Sequence, residues 1–154
     1  MNNQRKIDLS VFYWLQTLFA GKATVVDGYP VDEHGVPTDE VSVPTVASER
    51  TPTEMIPLQL GGGSKFYFSY FCTVYARTKA QRDDLAYTIL EKLDTGNIKV
   101  YDYDMGFPPA VPSGIGCLVP IDDASYEVLY TFPDGGNQKM NWRGVVTFRG
   151  YFTN

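Results

Sequence analysis

The stretch SKFYFSYFCTVYAR, residues 64–77, decides the fold. β-Branched and aromatic residues fill it, Gly and Pro are absent, and it is longer than a strand in a small domain needs to be. Side chains alternate along a strand, so Phe66, Phe68, Tyr70, Cys72, Val74 and Ala76 share one apolar face. Lys65, Tyr67, Ser69, Phe71, Thr73, Tyr75 and Arg77 make up the other, which suits a surface partly solvated and partly covered by a neighbour.

Directly after it, Thr78 with Gln81 three residues on reads as a capped helix start. The helix is expected to run to residue 93, with Leu85, Ala86, Ile89, Leu90 and Leu93 inward and Gln81, Arg82, Asp84, Glu91 and Lys92 outward. Asp83 and Asp84 suit its N-terminal end, Lys92 its C-terminal end, and Gly96 the position just beyond. Residues 97–103 alternate as another strand, which the Gly106-Phe107-Pro108-Pro109 turn stops.

Upstream, Asp8 is the expected cap of a helix with an apolar stripe of Val11, Phe12, Trp14, Leu15, Leu18 and Phe19, ended by Gly21. A short strand over 23–26 leads to an Asp27-Gly28 turn. Residues 29–44 are acidic and poor in large apolar groups, and read as a long loop or extended hairpin. Asp32, Glu33, Asp39 and Glu40 are its candidate partner-binding residues. Strands are expected at 45–48 and, as an edge strand because of Pro57, at 54–60. Gly61-Gly62-Gly63 reads as a flexible joint. Downstream, strands are expected at 115–121, at 126–132 and over 141–152, with a turn at 133–137. In the last strand Trp142, Val146, Phe148 and Phe152 alternate with Arg143, Thr147, Arg149 and Thr153. Neither an internal repeat nor a linker divides the chain, so residues 1–154 read as a single domain.

At 154 residues and 44% apolar composition the chain builds one substantial core. A net charge of −5 argues against general nucleic-acid or anionic-membrane binding, both of which reward a basic surface. No segment approaches the length of a membrane span. The polar, basic start before an apolar run imitates a signal peptide, but Asp8, Ser10, Gln16 and Thr17 interrupt that run. The aromatic fraction of 14% exceeds what one small core requires and fits either an interface or an aromatic-rich β core.

Chemistry-bearing residues are sparse. The sole histidine, His34, lies in the acidic stretch with no partner set for catalysis. Asp102 and Asp104 form a D-x-D pair that shares a strand face, as some divalent-cation sites do, yet edge carboxylates also guard strands against aggregation. Gly61 to Gly63 lack the Lys-Ser/Thr of a phosphate loop. Tyr67, Phe71 and Tyr75 resemble a base-stacking platform in spacing only, because Lys65 and Arg77 are their only basic flanks. A covered sheet face or a subunit contact is the better expectation for these three tyrosine and phenylalanine rings. Cys72 and Cys117 read as small buried hydrophobes. No catalytic, cofactor-binding or metal-binding residue is expected; the chain reads as part of an assembly.

The runs ARTKAQRDDLA (residues 76–86), GNIKVYDY (96–103), GFPP (106–109) and WRGVVTF (142–148) resemble small neck and tail-completion proteins of tailed bacteriophages, above all tail terminators. With the strand from Phe66 that leads into the first run, these motifs are spread over about half the chain, mostly its second half, and residues 29–44 depart from the pattern. The resemblance implies an α/β (α+β) fold, a mainly antiparallel sheet with two helices packed on it. It implies a homo-oligomer, a hexameric ring at the neck of the virion, assembled in the host cytoplasm. That ring caps the head-proximal end of the tail tube, stops its polymerisation, and joins the tube protein to head-completion or connector proteins. DNA passes its lumen without specific binding. Two alternatives stand beside it: a head-completion or neck adaptor on the portal side, and a small metal-dependent enzyme using Asp102 and Asp104.

Overall fold

The computed structural model describes residues 1–36, 38, 42–51, 54–59, 62–109, 114–129 and 142–154. Its elements run α1 (Asn3–Leu18), β1 (Thr24–Asp27), β2 (Thr45–Arg50), β3 (Glu54–Gln59), β4 (Gly62–Ala76), α2 (Lys79–Thr95), β5 (Ile98–Tyr101), β6 (Gly114–Pro120), β7 (Ser125–Leu129) and β8 (Trp142–Thr153). This is an α+β fold.

Two long antiparallel strands form the spine. β4 and β8 pair from Tyr67↔Tyr151 to Ala76↔Trp142, and every other strand is placed against them. On the far edge of β4, β2 covers residues 70–75 and β3 covers residues 62–67. The Thr51 amide donates to the Ser69 carbonyl at 2.9 Å, continuing that edge beyond the end of β2. On the far edge of β8 the same device recurs. β6 pairs near its C-terminal end, β7 near its N-terminal half, and the Ile121 amide donates to the Arg149 carbonyl at 2.9 Å between them. β1 adds in parallel to β2 and β5 antiparallel to β6. The sheet is therefore mixed, with β1–β2 the one parallel pairing among the described strands. Gly150 sits where β6 crosses β8. A Cβ there would lie 2.9 Å from the Val119 carbonyl oxygen and 3.0 Å from the Leu118 side chain, so the close strand approach requires glycine.

Both helices cover one face of this sheet. Ile7, Val11, Leu15 and Phe19 of the α1 side and Leu85, Ala86, Ile89 and Leu93 of α2 join Phe68, Tyr70, Cys72, Val74, Val146 and Phe148 in a single buried cluster. The apolar face expected for β4 is buried from Phe68 to Ala76, and burial alternates as far as Val74, after which Tyr75 on the other face is buried as well. Phe66, on the same apolar face, is 48% exposed, because β8 pairs with β4 only as far as Tyr67.

Capping explains where the helices start, and one expectation is corrected. Thr78 caps α2, its Oγ1 accepting from the Gln81 amide at 3.1 Å, while Gln81 Oε1 accepts from the Arg77 amide at 2.9 Å. In α1 the cap is Asn2, whose side chain accepts from the Arg5 amide at 2.9 Å. Asp8 lies inside the helix, and its carboxylate is used elsewhere. The glycine joint is also corrected in part: Gly62 and Gly63 belong to β4 and Gln59 pairs with Gly62, while Gly61 lies outside the described residues. The expected turn at 133–137 lies outside the described residues.

Candidate functional site

Because the helices take one face of the sheet, the other is left, among the described residues, for side chains and the segment that follows β1. Strand register lays that face out as a grid. Glu49, Phe71 and Thr147 form one row, Ala47, Thr73, Val145 and Glu127 the next, and Thr45, Tyr75, Arg143 and Leu129 the third. Gly28, with φ of +93°, turns the chain off β1, and its amide donates to the Ser48 carbonyl at 2.6 Å. Tyr29 and Pro30 then wall the grid on the β2 side and complete an open trough of about 320 Å³. Its floor is small and apolar at Ala47, Thr73 and Val145. Phe71, 43% exposed, rises from it, and Glu49 and Glu127 reach it from opposite strands.

The three rings expected at a subunit contact thus share a face but not an environment. Phe71 offers open surface. Tyr75 is only 1% exposed and lines the trough as part of its body. Tyr67 packs edge-on against Tyr151 with centroids 6.3 Å apart, under the Arg149 guanidinium at 5.9 Å. Arg149 in turn pairs with Asp123 at 2.7 Å.

Beyond the wall, Asp32 organises a tight turn. Its Oδ1 accepts from the amides of His34 (2.8 Å) and Val36 (2.9 Å), and the Thr38 amide donates to the Pro30 carbonyl at 3.0 Å. Glu33 and His34 project into solvent 3.4 Å apart. Asp39 and Glu40 lie outside the described residues. Asp32 is therefore a turn-forming residue, and Glu33, beside His34, is the other carboxylate of this tip among the described residues.

A second cleft of about 230 Å³ adjoins the trough through Gly28 and Glu49, which line both. Here Asp8 Oδ1 accepts from the Tyr70 hydroxyl at 2.8 Å and lies 3.3 Å from Arg50 Nε, while Arg5 pairs with Asp27 at 3.2 Å. Burial pushes the Asp8 carboxyl above the usual range, against the pull of Tyr70 and Arg50, and burial raises the Tyr70 hydroxyl strongly. Arg50 answers Asp8 and Arg5 answers Asp27, with Glu49 a third carboxylate on the lining, which makes the cleft a joint between α1, β1, β2 and β4.

Asp102 and Asp104 do come together, on a cation supplied by the chain itself. Lys6 Nζ lies 2.8 Å from Asp102 and 3.1 Å from Asp104, with its side chain 9% exposed. The Lys6 ammonium holds the Asp102 carboxyl below its ordinary value. The Met1 amine at 3.0 Å, then Lys6, does so for Asp104. Next to them Ser10 Oγ donates to the Lys6 carbonyl (2.8 Å), receives the Tyr101 amide (3.1 Å), and lies 3.0 Å from the Tyr103 hydroxyl. Phe107 stacks on Phe12 and on Tyr103. The pair thus pins the segment after β5 to α1. Among the described residues no cluster of three metal-ligating side chains forms.

Cys72 is fully buried, burial pushing its thiol up to about 12, and Cys117 is half-buried. Sequence reasoning missed the buried Lys6 and assigned Arg82 to the outside. Arg82 is 5% exposed, clasps Asp83 at 2.9 Å and lies 5.6 Å over the Trp142 ring, while the Tyr126 hydroxyl donates to the same Asp83 oxygen at 2.8 Å. A D-x-D pair with a lysine on the facing helix carried no local signal, since 96 residues separate Lys6 from Asp102. Glu49 and Glu127 were equally silent. No protein-family model matches the chain, and no curated protein matches it either.

Proposed function

We propose that this chain is a structural virion protein of a tailed bacteriophage, a tail terminator whose ring, hexameric by resemblance, caps the head-proximal end of the tail tube. The observation that carries the reading is one-sided coverage. Both helices lie on one face of the sheet, and among the described residues the opposite face keeps an open trough with Phe71 exposed above it. A protomer that docks side to side needs such a surface, and aromatic anchors with a polar rim are what subunit contacts favour. The motif resemblance supplies the assembly, and the acidic net charge suits a lumen that DNA must traverse without adhering. The role is structural: the tube protein on one side and connector proteins on the other are its partners.

The test is negative-stain imaging of purified tail tubes mixed with the protein, alongside its mass in solution. Rings at one tube end, with extension arrested, are the expected result. Protein that ignores tubes and is retained by portal-containing heads overturns the terminator reading in favour of the neck adaptor.

A further inference from the structure

We draw no further inference here: the strongest candidate, the open trough on the sheet face opposite the helices with Phe71 exposed above its floor, belongs to the surface on which the proposed function already rests, and nothing in the structure shows what covers it.

Discussion

Lys6 Nζ lies 2.8 Å from an Asp102 carboxylate oxygen, joining the second turn of α1 to the segment that leaves β5. The contact spans 96 residues and recruits Asp104 at 3.1 Å, and it sits one helical turn from the Ser10 bonds to Tyr101 and Tyr103. Lys6→Met should leave Asp102 without its cation beside Asp104, which keeps only the Met1 amine. The thermal midpoint should fall by several degrees, with Lys6→Arg falling less, as scanning calorimetry would show. An unchanged midpoint in Lys6→Met would mean that the aromatic stack of Phe12, Tyr103 and Phe107 holds the segment unaided.

The same cluster sets an acid limit. The folded Asp102 and Asp104 carboxyls lie below their unfolded values, so their stabilisation is complete above the ordinary carboxylate range, about pH 4, and is lost as pH falls through the folded values. Asp8 has the opposite sign: its folded value is raised, so its contribution declines as pH rises from the unfolded value toward the folded one. Stability measured against pH should therefore fall in acid for wild type and fall less steeply for an Asp102→Asn, Asp104→Asn double variant. Asp8→Asn should gain on wild type as pH rises across that interval.

Ile89 is fully buried under the sheet, whereas Leu90, one residue on, is half-buried. Ile89→Asp should cost about 4 kcal/mol or more, enough to unfold most domains of this size. Leu90→Asp should cost less. Cooperative unfolding of Ile89→Asp at the wild-type denaturant midpoint would contradict the packing of α2.

Phe71 and Tyr75 point to the same side of β4 but differ in exposure, at 43% and 1%. Phe71→Asp should change stability by about 0.5 kcal/mol or less and abolish ring assembly on tubes. Tyr75→Ala should cost about 3 kcal/mol through lost packing. Chemical denaturation separates the two, and a Phe71 variant that assembles normally would remove the trough from the contact.

Asp32 satisfies two backbone amides with one carboxylate oxygen in an exposed turn. Asp32→Ala should leave the global midpoint almost unmoved, since the turn packs little core. Hydrogen exchange at the His34 and Val36 amides should accelerate. Unchanged exchange would show that the turn is set by its flanking backbone bonds.

Local patterns were legible wherever one residue's neighbours in sequence settle its environment. The buried face of β4 from Phe68 to Ala76 followed from period-two geometry, the Thr78 cap from its spacing to Gln81, and the core side of α2 from Leu85, Ala86, Ile89 and Leu93. Residues 45–48, 54–60, 115–121 and 141–152 also read as strands, with ends shifted by a few positions. Helix α1 began earlier than expected because Asn2 outcompeted Asp8, whose carboxylate is held by Tyr70 and Arg50 instead.

By itself, then, the sequence determined the period of each element, the apolar face of the long strand and the class of the fold. Tertiary structure alone decided which strands adjoin, that both helices share one face, and that Glu49 and Glu127 face one trough while Lys6 meets Asp102. The physical reason is range. Periodicity and capping act over three or four residues, where covalent geometry fixes who is near whom, whereas strand order and ion pairing depend on contacts between distant segments that form only when the whole sheet closes its core.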